Sequence, residues 1–283
     1  MSKIQEVDAE RAAMDTIVNL TSVFEGIASM RISQTKSQVQ QSQLFFSELW
    51  KIYSQLRVDK LFHFGRTEND NIINKQLFII ITSEGGFSGD IDQKLIKTML
   101  EQYDPAKQDI IVIGHHGATQ LIQAGVAFKK YFTLPSKDRN INVQPLINEA
   151  RSYKDTIVFY ETYVSLMVQD VSSIDLSNAV KEEAVGIKNS EEYISEKNYI
   201  FEPSTFEVVA HLERSMMQIA LSQVILESKL AQYASRFRAM SMAKDRAHKL
   251  HDSLNMLYNR TKRRTQDERL KEMINGLRKT RVS

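Results

Sequence analysis

Cysteine is absent from the 283 residues. That excludes disulfides, thiol nucleophiles and thiolate metal sites, and it is compatible with a reducing compartment. Proline is scarce: Pro105, Pro135, Pro145 and Pro203 are the four copies, all in the middle of the chain. From Met1 to Phe64 the only breaker is Gly26, and from Ser204 to Asn275 there is neither glycine nor proline. Charge of one sign is also missing. The formal net charge of +2 is too small to imply nucleic acid or an acidic membrane as partner. No apolar run approaches the ~18 residues that cross a bilayer, and the N-terminus lacks the layout of a signal peptide. A soluble, cytoplasmic protein without direct membrane insertion is expected.

What fills the breaker-free ends is helix former: Ala, Leu, Met, Gln, Glu, Lys and Arg. Helices in compact domains average about 11–12 residues, so stretches this long predict one long helix at each end of the chain. In the C-terminal segment Leu226, Leu230, Tyr233, Phe237 and Met240 recur in steps of four and three. The series resumes at Ala243, Ala247, Leu250, Leu254 and Leu257, which implies a three-residue slip after Met240 that overwinds a coil locally. The N-terminal pattern is weaker, with Ile4, Val7, Met14 and Val18 on one stripe and Leu49, Ile52, Tyr53 and Leu56 on another. Neither helix can bury its stripe alone, so the two are expected to pair antiparallel as a rod.

The centre has a different period. Leu77–Thr82 and Asp109–Gly114 are short apolar, β-branched runs of the kind that form buried parallel strands. Helices are expected from Asp90 to Tyr103, Ala118 to Val126 and Val143 to Tyr153, and further strands at Thr156–Tyr160 and Val164–Val168. Alternating strands and helices predict a small doubly wound α/β domain. Lys181–Lys197 is charged and weakly apolar and reads as an exposed loop. The predicted division is 1–64, 65–203 and 204–283.

The glycine loop SEGGFSGD, Ser83 to Asp90, follows a strand and precedes a helix, as a phosphate loop would. It has neither the G-x-G-x-x-G nor the Walker spacing, no lysine follows Gly89, and Glu84 and Asp90 would repel a phosphate. It reads as a tight structural turn built on Gly85, Gly86 and Gly89. His115 and His116 have no third ligand at metal spacing and read as solvated imidazoles in a turn. His248 and His251 read as surface residues. The C-terminal helix is strongly basic, with Arg236, Arg238, Lys244, Arg246, Lys249, Arg260, Lys262, Arg263 and Arg264 against Asp245 and Asp252. Phe237 and Tyr258 are its only aromatics in that run, too few for a row of stacking platforms on nucleic acid. No catalytic triad, paired catalytic carboxylates, metal set or cofactor motif is visible. The residues alone read as a long two-helix rod with a small α/β domain and no visible active site.

Three regions resemble the gamma subunit of F-type ATP synthases, the central rotor shaft. ITSEGGFSGDI is similar to that family's T-S-D-R-G-L-C-G-G-L-N, keeping Thr82, Ser83, Gly86 and Gly89. In the C-terminal segment Arg236, Ala239, Met240, Ala243, Leu250, Leu257, Tyr258, Asn259 and Arg260 fall on the family's A-R-M-x-A-M and L-x-x-x-Y-N-R positions, with Thr265–Gln266 just beyond. Val18–Gln34 is a fainter echo of the N-terminal motif, and YIFEP at Tyr199–Pro203 sits where the family enters its last helix.

The resemblance implies a long antiparallel two-helix coiled coil with a Rossmann-like α/β domain between its halves. It implies a non-catalytic shaft inside a hexameric ring of alpha and beta ATPase subunits, with an epsilon-like subunit and a membrane c-ring at the foot. Ring contacts are then expected at Arg236, Arg238, Met240, Lys244, Arg246, Arg260, Arg264 and Gln266, and the location is peripheral, on the inner face of an energy-coupling membrane. The cation-poor N-terminal helix and the basic tail GLRKTRVS depart from the family pattern. They fit the alternative of a hydrolytic motor without ATP synthesis. A different class, a coiled-coil adaptor whose α/β domain binds a ligand near Gly85 and Gly114, is the other alternative.

Overall fold

The computed structural model describes residues 3–55, 72–134, 141–176, 202 and 204–280. The Lys181–Lys197 loop and most of Tyr199–Pro203 lie outside the described residues, as does Arg281 of the tail. Helix α1 (Lys3–Gln55) and helix α5 (Thr205–Thr280) are each continuous, at 53 and 76 residues. Between them come β1 (Ile73–Ile81), α2 (Ile91–Leu100), β2 (Gln108–Ile113), α3 (His115–Gln123), β3 (Lys130–Phe132), α4 (Gln144–Arg151), β4 (Tyr153–Tyr163) and β5 (Gln169–Asp175). By contacts the chain divides into a helical unit, Met1–Ile27 with Phe237–Ser283, and an α/β unit, Ala28–Arg236.

In the α/β unit the sheet order is β3-β2-β1-β4-β5. The first four strands are parallel and β5 is antiparallel to β4. The parallel strands are buried on both faces, which is why they read as unbroken apolar runs: Leu77 to Ile81 and Ile110 to Ile113 are at most 1% exposed. One face packs against α2 and α3 through Phe78, Ile80, Leu95, Met99 and Val112. The other packs Ile79, Ile111 and Val158 against α4, Phe46 of α1 and Met216–Ile225 of α5.

Two expectations fail here. Val164–Val168 is the turn of the β4–β5 hairpin, held by Ser165, whose backbone N–H donates to Val168 O at 2.8 Å. Its apolar side chains mimicked a strand while lying exposed. Also, β3 was not foreseen, since three residues at a sheet edge carry no period.

In the helical unit the half-buried and buried residues of α1 recur at Ile4, Val7, Arg11, Met14, Val18, Thr21 and Glu25. That is an unbroken alternation of three and four, with polar residues at several seam positions. On α5 the seam runs Met240, Lys244, Ala247, His251, Leu254, Tyr258, Thr261 and Thr265. The expected slip after Met240 does not occur. Leu250 and Leu257, assigned to the seam from the sequence, are 53% and 42% exposed. Arg11 stacks on the Tyr258 ring at 4.6 Å and Lys244 pairs with Glu25. Fourteen residues forward on α1 thus correspond to fourteen back on α5, so the pair is antiparallel.

Candidate functional site

Doubly wound sheets bind ligands along the edge formed by the C-terminal strand ends. Here it is closed by the chain itself. Thr82 Oγ1 accepts the Gly117 N–H at 3.0 Å and donates to Ile113 O at 3.0 Å. Gly114 has φ +101°, and a Cβ there would lie 2.1 Å from Thr82 O. Strand β1 and the start of α3 therefore meet without space for a side chain. Glu84 then occupies the anion position at the N-terminus of α3, its Oε2 accepting the His115 N–H at 3.3 Å. The same carboxylate accepts the Leu134 N–H. A phosphate would meet a carboxylate instead of free donors.

The glycine loop turns toward α5. Phe87 and Gly89 both have φ +69°, so the tightest part of the turn is in the left-handed region. Ser235 Oγ of α5 donates to Ser88 O at 2.6 Å, and Arg236 Nη2 donates to Gly85 O at 3.3 Å. A Cβ on Gly89 would sit 3.6 Å from Ser235 Oγ, whereas one on Gly86 would meet nothing within 4 Å. The loop is a clasp on the helix.

Beneath the clasp lies a buried polar cluster that the sequence reading missed. Asp92, in the first turn of α2, is fully buried. Its Oδ1 accepts the Ser83 N–H at 2.9 Å, and its Oδ2 accepts Ser83 Oγ and His116 Nδ1, both at 2.7 Å. Burial alone would raise the Asp92 carboxyl, but these hydrogen bonds outweigh it and hold it below its ordinary value. The same contact from Asp92 raises His116, against the effect of burial. His116 is thus an ion-pair partner in a helix turn, not the solvated imidazole expected; a carboxylate 24 residues away was invisible to spacing. Glu161, near the end of β4, is 0% exposed, and neither carboxyl oxygen completes a hydrogen bond. Burial first, then the Asp92 charge, push its carboxyl well above the usual range. The one signal in the sequence was a lone carboxylate following the apolar run TIVFY.

The residues expected to touch a ring divide three ways. Arg236 is engaged with the glycine loop, and Arg238 is half-buried beside it on α5. Met240 and Lys244 face the seam of the helical unit. Arg246, Arg260, Arg264 and Gln266 are exposed, with Arg264 Nε 3.1 Å from Glu268. Apolar side chains share that exposure: Met242, Leu250, Met256, Leu257, Leu270 and Met273 are each at least 42% exposed. His251 sits in the seam, its Nδ1 3.3 Å from Asn255 Nδ2, which corrects its surface assignment. None of the described helices is long and apolar enough to cross a membrane.

The strand-end crevice is closed, the glycine loop clasps a helix, and the antiparallel helix pair turns apolar and basic side chains outward. The family model described as ATP synthase matches residues 3–278, and the chain belongs to that family. It is 23% identical to the ATP synthase gamma chain of Clostridium novyi over 91% of both chains. It is 23% identical to the gamma chain of Enterococcus hirae over 97% of this chain and 98% of that one. The fold is shared with the rotor of the Euglena gracilis mitochondrial ATP synthase (TM-score 0.62, 12% identity, 93% of this chain and 98% of that chain). It is also shared with a chain of the central stalk and c-ring structure from Tetrahymena thermophila (TM-score 0.55, 13% identity, 79% and 99%).

Proposed function

We propose that this chain is the central stalk of a rotary F-type ATPase, a non-catalytic shaft that couples rotation to conformational change in the catalytic subunits. The observation that carries this reading is the family match across residues 3–278, joined to helices whose outward faces keep apolar side chains in water. Exposed Met242, Leu250, Leu257 and Met273, interleaved with Arg246, Arg260 and Arg264, suit a partner that supplies both apolar and acidic surface. That partner is a ring of alpha- and beta-type subunits. Segments 1–64 and 204–283 form the shaft and 65–203 the foot, which meets an epsilon-like subunit and a membrane c-ring. The protein is then peripheral on the inner face of an energy-coupling membrane. A shaft acts through differential contacts: only a face that binds the ring's conformations unequally can bias their nucleotide affinities.

The test is a tagged pull-down from native cells with mass spectrometry and an ATPase assay. Recovery of two Walker-type subunits in excess over this chain supports the reading, and c-ring subunits in the same eluate separate a synthase from a stand-alone hydrolytic motor. Recovery of the chain alone, monodisperse and without ATPase activity, overturns it.

A further inference from the structure

The Asp92–Glu161 cluster is not explained by the shaft reading. Glu161 is fully buried with both carboxyl oxygens unpartnered, and an isolated carboxylate in such a place is prohibitively costly unless neutralised. Asp92 cannot neutralise it as an anion, because two adjacent buried carboxylates repel. We infer that Asp92 and Glu161 together form a binding site for a single proton, and that this proton pins α5 to the sheet.

The neighbours point to a proton as the ligand. Asp92 already accepts from the Ser83 backbone, the Ser83 hydroxyl and His116, so its lone pairs are largely committed and a metal ion would have to displace them. Among the described residues no group of three or more histidine or carboxylate side chains is arranged to hold a metal ion. Helix α2 contributes Asp92 and α3 contributes His116, which pairs with it. From α5 come Ser228 and Gln232, with Lys229 between them in sequence and 4% exposed. Strand β5 faces Glu161 with apolar Val171. With His116 charged, Asp92 ionised and Glu161 protonated, the three carry no net charge.

The link to α5 is direct. Ser228 Oγ accepts the Glu161 backbone N–H at 3.5 Å and Gln232 Nε2 at 3.2 Å. Two helical turns beyond Ser228, Ser235 holds the glycine loop, whose Ser88 Oγ lies 3.4 Å from Asp92 Oδ2. Loss of the proton leaves two carboxylates beside the stretch where α5 is gripped. The grip weakens as pH rises.

The experiment is infrared spectroscopy with parallel thermal melts of the full chain from pH 5.5 to 9. The expected result is a protonated-carboxyl band at pH 6 that shifts in deuterium oxide and disappears in Glu161→Gln. The melting temperature should fall as pH rises in the wild type, and by less than half as much in Glu161→Gln. A Glu149→Gln control, altering a partly exposed carboxylate paired with Lys130, should retain the wild-type slope. Absence of the band in the wild type overturns the site even if the Gln variant fails to fold. Parallel melting profiles for wild type and Glu161→Gln overturn the pin. Neither readout depends on recovery of a ring, so failure of the shaft reading would not be mistaken for failure here.

Discussion

The α/β unit and the helical unit bury their side chains by opposite rules. In the sheet, apolar residues fill the interior of the parallel strands, while Asp92 is buried with its hydrogen bonds made and Glu161 is buried with neither carboxyl oxygen hydrogen-bonded. In the helix pair, Arg11, Glu25, Lys244 and His251 occupy seam positions while Leu250, Leu257 and Met273 are exposed. The sheet contains its own stability. The helix pair has part of its apolar surface still to cover, which is what a subunit built for a surrounding partner requires.

Glycines break the comparison most sharply. Gly114→Ala forces a Cβ to 2.1 Å from a backbone oxygen at φ +101°, and strain of that kind costs on the order of 4 kcal/mol or more. Gly26, mid-helix in α1 with nothing within 4 Å of a new Cβ, should respond in the opposite direction: Gly26→Ala should stabilise by about 0.5–1 kcal/mol. Urea unfolding followed by Trp50 fluorescence, for the α/β unit, and by helical circular dichroism would read both. Similar midpoints for the two variants would deny the difference in packing.

Leucine and isoleucine truncations come next. Ile79→Ala removes a side chain of 0% exposure from the centre of the sheet and should cost about 2–5 kcal/mol. Leu257→Ala, 42% exposed, should change the free chain by less than about 0.5 kcal/mol. Its effect should appear instead as weaker recovery of ATPase subunits in the pull-down. Equal destabilisation of the free chain by both would mean Leu257 is packed, restoring the seam expected from the sequence.

Ile79 and Leu257 mark where the sequence was legible and where it was not. The strands were readable because burial on both faces leaves a continuous apolar run, as at Leu77–Ile81. Helix existence was readable from missing breakers. The seam was not, because apolar periodicity identifies an apolar face, and on α5 the apolar face and the packed face differ. A threonine, an arginine and a glutamate hold seam positions on α1, so its stripe looked broken when it is continuous. Gly89 of the glycine loop has a positive φ, and the loop's partners on α5 lie 147 and 151 residues away in sequence, out of reach of any local spacing. Long-range pairing also hid Asp92–His116. Lys244 and Arg236 looked alike as basic residues, and only the fold separates an inward ion pair from a loop contact.

The two units should also titrate in opposite directions. The hydrogen bond from Lys244 lowers the Glu25 carboxyl below its usual 4.5, against burial. That stabilisation is complete above the ordinary value and is lost as pH falls through the lowered one. Glu161 is raised, so its contribution is present below the ordinary carboxylate range and is lost as pH rises. His116, raised above 6.5 by Asp92, loses its contribution in the same alkaline direction. Lys244→Met should therefore cost about 1–2 kcal/mol at neutral pH and much less at pH 3. The alkaline limb reported by Trp50 should be unchanged. Loss of the alkaline limb in this variant would show that the two titrations are one.

The smallest effect tests whether the polar seam sets register. Arg11 over Tyr258 is an exposed-to-half-buried cation–π contact worth about 0.5–1 kcal/mol. A double-mutant cycle of Arg11→Ala and Tyr258→Ala should return a coupling of that size, measured on the helical signal. This contact and the Glu25–Lys244 ion pair place α1 against α5 in the same register. Polar seam residues commonly trade stability for a unique alignment, so the coupling should vanish when Glu25 and Lys244 are replaced together by leucine and methionine, even if overall stability rises. Retained coupling in that background would show that register is held without the ion pair, by the apolar residues between the two contacts.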